Sequence, residues 1–303
     1  MASSTAFDEF SLFHENAEEF GIPWRGEPHV ARVDVPVGGN QTISALVWGT
    51  GPPELVLIHG GAQNAHTWDT VALALDRPLV ALDLPGHGYS SHRDDHVYWP
   101  SDNAVAVEQA VRALAPDAAM VVGMSLGGLT SIALTDRAPE LVRNLVLVDV
   151  TPGVNREKSS AIAQFIDGPE FFESFDEILQ RTIQFNPTRT ESSLRRGVLH
   201  NAIELPDGTW RWRWDLPRRG SGEGDTGSIM PGLDDLWAAV ERVKVPLTLL
   251  RGSLSPVVDD DDVAELQRRN PAARVIVVEG AGHSIQGDKP VELAALLAEQ
   301  LTT

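Results

Sequence analysis

Cysteine is absent from the 303 residues, which excludes disulfides, thiolate metal centres and cysteine nucleophiles. Long apolar runs are absent too. No stretch approaches the ~18 residues that span a bilayer, and M-A-S-S-T-A-F-D-E-F lacks the basic region and apolar core of a secretory signal. A soluble cytoplasmic protein with no integral membrane association is expected. Basic residues are few, 24 against 43 acidic ones, for a formal charge of −19. Such a surface repels phosphate backbones and anionic headgroups, so nucleic acid is not an expected partner.

What is present suits a globular chain. Apolar residues make up 42%, and the length allows a substantial core in one or two domains. Residues 1–28 form an acidic N-terminal extension. In it Phe7, Phe10, Phe13 and Ala17 recur at near-helical spacing and predict one short helix. From His29, H-V-A-R-V-D-V-P-V alternates, and G-G-N at 38–40 marks a hairpin turn to a second strand. Apolar runs at 55–58, 79–82, 120–122, 145–148, 247–250 and 275–278 then alternate with helical patterns at 66–76, 102–114, 126–138, 259–269 and 290–301. That alternation predicts a parallel sheet covered on both faces. It lapses after Gly153. Residues 153–235 read as an inserted helical cap, with 29–152 and 236–303 as the core. The cap holds aromatic-rich helical stretches, W-R-W-R-W and a glycine-rich run at 220–228 with the composition of a mobile lid.

The chemistry is concentrated in V-V-G-M-S-L-G-G at 121–128. A strand enters G-x-S-x-G and a helix leaves it, so the turn projects the Ser125 hydroxyl above the sheet as a nucleophile. The same turn sets the Leu126 N–H at a helix N-terminus, aimed at a developing oxyanion.

The chain resembles the α/β-hydrolase superfamily from about His29 onward. L-I-H-G-G at 57–61 resembles the family's oxyanion loop, D-L-P-G-H-G-Y-S at 83–90 the loop after its fourth strand, and A-G-H at 281–283 its histidine loop. The resemblance implies an eight-stranded, mostly parallel sheet. It also implies a second oxyanion donor at Gly61, with Ala62 as the neighbouring possibility, and His283 as general base. His59 is expected to brace the oxyanion loop, and His66 and His87 to lie near the pocket. His14, His92 and His96 are expected at the surface, and His200 is expected to be structural within the insertion.

The carboxylate that orients the base is less direct. After Gly252 the usual turn offers Ser253 and Ser255 and no acid before Asp259. Asp259, Asp260, Asp261 and Asp262 open a predicted helix, where N-capping and the helix dipole account for them. Asp149 in L-V-L-V-D-V-T-P ends the strand after the nucleophile helix, and it is the expected third member. The pairing of D-V-T-P with R-G-x-x-S is similar to (acetamidomethylene)succinate hydrolases. The longer segments H-G-G-A-Q-N-A-H-T-W-D-T-V and V-G-M-S-L-G-G-L-T are similar to mycobacterial serine carboxylesterases.

The resemblance implies a serine hydrolase that cleaves small-molecule carboxylic esters of small to medium acyl chain through an acyl-enzyme. No metal or organic cofactor is required. Amide hydrolysis, carbon–carbon bond hydrolysis, a cofactor-free haloperoxidase side activity and a silent ligand-binding homologue are the alternatives. Trp210, Trp212 and Trp214 on one strand face, and the cluster of Phe171, Phe172 and Phe175, read as packing before they read as an acyl pocket.

Overall fold

A computed structural model describes residues 7–215, 230 and 232–302. The glycine-rich run at 220–228 lies outside the described residues. The first helix, α1 (Phe13–Glu19), buries Phe13, Asn16 and Ala17. It starts later than the phenylalanine spacing predicts because Asp8 competes for the backbone. Its carboxylate accepts from the Phe10 N–H at 3.0 Å and its carbonyl from the Ser11 hydroxyl at 2.7 Å, which makes a turn of residues 8–11.

Strands β1 (Val30–Pro36) and β2 (Thr42–Trp48) pair antiparallel across the G-G-N turn. Gly38, Gly39 and Asn40 there all have positive φ, the backbone that tight hairpins need. The chain continues through β3 (Leu55–Ile58), a 3-10 turn at 65–68, α2 (Asp69–Leu75) and β4 (Leu79–Leu82). Then follow α3 (Pro100–Leu114), β5 (Met120–Met124), α4 (Leu126–Arg137) and β6 (Leu145–Val148).

After β6 the chain leaves the sheet for α5 (Ser160–Ile166), β7 (Phe171–Phe172), α6 (Phe175–Phe185), α7 (Glu191–Asn201), β8 (Ala202–Glu204) and β9 (Trp210–Trp212). The three short strands form their own sheet in the order β7-β9-β8. Phe171 and Phe172 are therefore in a strand, where a helical stretch was expected. The main sheet resumes with α8 (Leu233–Arg242), β10 (Leu247–Gly252), α9 (Asp260–Arg269), β11 (Arg274–Val278), α10 (Ile285–Asp288) and α11 (Pro290–Leu301).

The main sheet has eight strands in the order β1-β2-β4-β3-β5-β6-β10-β11, and every pair from β4 to β11 is parallel. Its strands alternate between two apolar layers. Val56 and Ile58 face a cluster with α3, α4 and α8, whereas Leu55 and Leu57 face one with Trp68, α2 and α11. Both faces are covered, which is why the strands read as unbroken apolar runs. The aromatic segment packs into a third cluster of Phe172, Ile178, Leu194, Trp212 and Trp214.

Strand order determines which loops meet. β5 lies between β3 and β6, and Met124 pairs with Val148. Val148 in turn pairs with Leu250 of β10. The loops after β3, β5, β6 and β10 therefore gather at one edge of the sheet, where open α/β folds hold their ligands.

Candidate active site

Ser125 follows Met124 with φ 50° and ψ −119°, a backbone that non-glycine residues rarely hold unless their surroundings enforce it. Here the surrounding glycines do so. A Cβ on Gly123 would lie 2.4 Å from the Gly127 carbonyl oxygen, and one on Gly127 would lie 2.3 Å from that of Ile58. One on Gly128 would meet Val150 at 2.4 Å. Each glycine lets α4 descend onto the strands, so the turn stays sharp and the serine side chain stands above it. The Leu126 N–H is the first of the helix and has no acceptor within it.

The loop after β3 is held by three neighbours. Gly60 donates its N–H to Gln63 Oε1 at 3.2 Å, and Ala62 donates to His87 Nε2 at 3.2 Å. Asn201 donates to the Ala62 carbonyl at 2.6 Å. Among the described residues nothing accepts from the Gly61 N–H between them, so of Gly61 and Ala62 the former is the amide left for a ligand. His59 receives the Leu84 N–H on Nε2 at 2.9 Å and contacts the Gly60 carbonyl through Nδ1 at 2.7 Å. Burial lowers the pKa of His59 to about 4 and that of His87 to about 3. Both are neutral struts of the loop, and His59 braces it as expected.

Asp149 also follows its strand with a positive φ, 52°, and it is fully buried. Two donors and an imidazole nitrogen converge on its carboxylate. Gly252 N–H reaches Oδ1 at 2.9 Å, and the Ser255 hydroxyl reaches Oδ2 at 2.5 Å. His283 Nδ1 lies 2.8 Å from Oδ2. The serine that stands where a later acid was sought thus donates to Asp149. Asp259 is occupied otherwise. It caps α9 in a reciprocal box with Asp262, and Lys158 bridges the two carboxylates.

Ser125, His283 and Gly61 open onto one cavity of about 370 Å³. Asp149 and Leu126 are not among its lining residues.

The alpha/beta hydrolase family matches residues 55–296, and the sheet order and strand-to-helix turn above are of that kind. The chain belongs to the α/β-hydrolase family. It is 44% identical to the esterase Rv0045c of Mycobacterium tuberculosis over 99% of this chain and 97% of that protein. Two solved structures of that esterase superpose with TM-scores of 0.86 and 0.84, covering 99% of this chain and 100% of each. It is 28% identical to the 2-(acetamidomethylene)succinate hydrolase of Mesorhizobium japonicum, over 86% of this chain and 90% of that one. Among the described residues no helix is long and apolar enough to cross a membrane.

One further cluster of this α/β-hydrolase reaches the same cavity. His66, Asp69 and His200 bring possible ligand atoms within 4.8 Å of one another. His66 contacts Asp69 at 2.9 Å and Glu9 at 3.0 Å. Burial alone would lower its pKa, but the charge of Asp69 and bonds to both carboxylates override it and raise the value to about 9. Burial also raises the pKa of Asp69, and a second ring is stacked on His66. That ring is His200, 3.8 Å from His66 between centroids, whose pKa burial drives well below the usual value.

His14 and His92 are exposed, as expected, while His96 is partly buried against Asp215 at 2.6 Å. The links from Asn64 to the His200 carbonyl and from Asn201 to Ala62 span 136 and 139 residues. No local sequence signal announces them. Trp212 packs in the aromatic cluster and also lines the cavity.

Proposed function

We propose that this chain is a serine esterase acting through Ser125, His283 and Asp149. The observation that carries the reading is the 2.8 Å contact between His283 Nδ1 and Asp149 Oδ2, with His283 and Ser125 on one cavity. Nδ1–H donates to the carboxylate, so the lone pair rests on Nε2, the tautomer a general base needs. Nε2 takes the Ser125 proton as Oγ attacks the ester carbonyl. The N–H groups of Leu126 and Gly61 receive the oxyanion. His283 then protonates the leaving alcohol, and water repeats the sequence on the acyl-enzyme. The inserted residues from Lys158 to Trp212 help line the cavity at this edge of the sheet, in the role of a cap. Phe165, Ile166 and Trp212 form an apolar wall suited to small and medium acyl chains. The likeness to a mycobacterial esterase supports ester cleavage over the amide and carbon–carbon alternatives.

The test is kcat/KM on p-nitrophenyl esters of two to about twelve acyl carbons. Activity should peak at short or medium chains and vanish in Ser125→Ala. A folded protein inactive on every length would overturn the ester reading and favour amide or carbon–carbon substrates.

A further inference from the structure

Cationic side chains inside proteins are paired as a rule, because an unpaired buried charge is costly. Two cations of the catalytic cavity obey it. Arg196 binds Glu19 and Asn16, and Lys158 binds Asp259 and Asp262. Arg189, in the connection between α6 and α7, does not. Among the described residues no carboxylate forms an ion pair with it, and its side chain bonds only to the Ser193 hydroxyl, 2.6 Å from Nη2. Nε is shut off from solvent and has no acceptor. The carboxylates whose charge it feels are committed elsewhere. Asp288 accepts from the Gly282 N–H at 2.7 Å and the Thr188 hydroxyl at 2.9 Å, and Glu19 accepts from Arg196 and Thr190. Burial without a partner lowers the pKa of the guanidinium.

The position of this cation is specific. Arg189 lines the same cavity as Ser125 and His283. Its guanidinium lies on Gly287 of α10, where a Cβ would stand 2.9 Å from both Cζ and Nε. It is therefore seated on the segment that follows His283. The cavity combines that cation with the apolar wall of Phe165, Ile166 and Trp212.

We infer that Arg189 binds a free carboxylate of the substrate, so that the esters cleaved are half-esters of dicarboxylic acids. The inference rests on the esterase reading for the scissile bond. A guanidinium presents five N–H donors in a planar fork that matches two carboxylate oxygens. A doubly charged phosphate would suffer more from neighbouring Asp288. With a net charge of −19 the protein as a whole repels anions, so recognition depends on this local cation. The carboxylate belongs to the acyl part, because only the acyl part stays bound through both acylation and deacylation. The balanced reaction turns the half-ester and water into the alcohol, a dicarboxylate and one proton.

The experiment compares ethyl half-esters of the acids from succinic to sebacic with their terminal amides, followed by proton release or alcohol formation. The wild type should favour the half-ester of the best-fitting length by ~10–100-fold in kcat/KM, as expected for a charged hydrogen bond. Arg189→Gln should remove that preference mainly through KM, leave the amide within about threefold, and be partly rescued by Arg189→Lys. Titration of the free dicarboxylates into Ser125→Ala should show binding that the Arg189→Gln double variant lacks. Equal turnover of half-ester and amide at every length by the wild type would overturn the inference. So would equal loss of both substrates in folded Arg189→Gln, or absence of dicarboxylate binding. If no ester is cleaved and a fluorophosphonate leaves Ser125 unlabelled, the esterase reading fails, and dicarboxylate binding alone still decides the role of Arg189.

Discussion

Ser125 and Asp149 share an unusual residue-scale feature. Each is the first residue after a paired strand position, Met124 and Val148, and each has φ near 50°. A backbone of this kind costs about 1–3 kcal/mol and persists where the surroundings over-determine it. The common turn sends both side chains to the same edge of the sheet, one into the cavity and one beneath His283. The roles of Asp149 and Asp259 then separate cleanly by mutation. Asp149→Asn replaces an acceptor with a donor facing His283 Nδ1 and favours the wrong tautomer. It should lower kcat by on the order of 10⁴ while circular dichroism reports a folded chain. Asp259→Asn keeps a good N-cap and should leave kcat within about twofold. A near-normal kcat in Asp149→Asn, with a large loss in Asp259→Asn, would exchange the two assignments.

Elements show what the sequence makes legible and what it hides. The strands and most helices are readable because their signals are local. Apolar runs of sheet length, left-handed residues at 38–40 and the aspartates opening α9 all act within a few positions. The turn at 8–11 is not legible from spacing, because a single side chain, Asp8, outweighs it. The β7 strand is not legible either, because two residues carry no period. The pairing of Asp149 with the R-G-x-x-S serine is legible as a resemblance, but the hydrogen bond from the Ser255 hydroxyl to the Asp149 carboxylate, across 106 positions, is not. Tight packing between elements is testable at Gly127, where an added Cβ would lie 2.3 Å from the Ile58 carbonyl oxygen and 2.4 Å from that of His59. Gly127→Ala must push α4 away from the strand that leads into the oxyanion loop. It should destabilise the protein by about 1–3 kcal/mol in urea unfolding and lower kcat in the remaining folded fraction. Gly197 of α7 has nothing within 4 Å of its virtual Cβ, and Gly197→Ala should instead stabilise by ~0.4–1 kcal/mol. Equal effects at the two sites would show that contact with β3 is not what makes residue 127 a glycine.

Across the whole molecule, four buried histidines give opposite pH slopes on either side of one value. His66, which links Glu9 of the N-terminal segment to Asp69, has its pKa raised from 6.5 to about 9. Its contribution is complete below pH 6.5 and is lost as pH rises through about 9, because the folded state then binds the extra proton. The shift corresponds to a loss on the order of 3 kcal/mol. His59, His87 and His200 behave in the opposite sense, the first two with pKa values lowered from 6.5 to about 4 and about 3 and His200 with its value well below 6.5. Below pH 6.5 the unfolded chain protonates where the folded chain does not, so stability falls as the solution is acidified towards those values. Urea midpoints measured from pH 4 to 10 should therefore peak near pH 6.5. Self-repulsion of a chain at −19 also weakens the fold at high pH, so the shape of the curve alone does not assign the alkaline limb. His66→Gln separates the two causes. It removes the proton-linked part and should flatten the fall between pH 6.5 and 9, while the part of the acid limb that comes from His59 and His87 stays in place. The His200 part shrinks, because the charge of His66 helps to lower its pKa. An alkaline limb unchanged in His66→Gln would assign the whole decline to net charge and remove the Glu9–His66–Asp69 link as a source of pH-dependent stability.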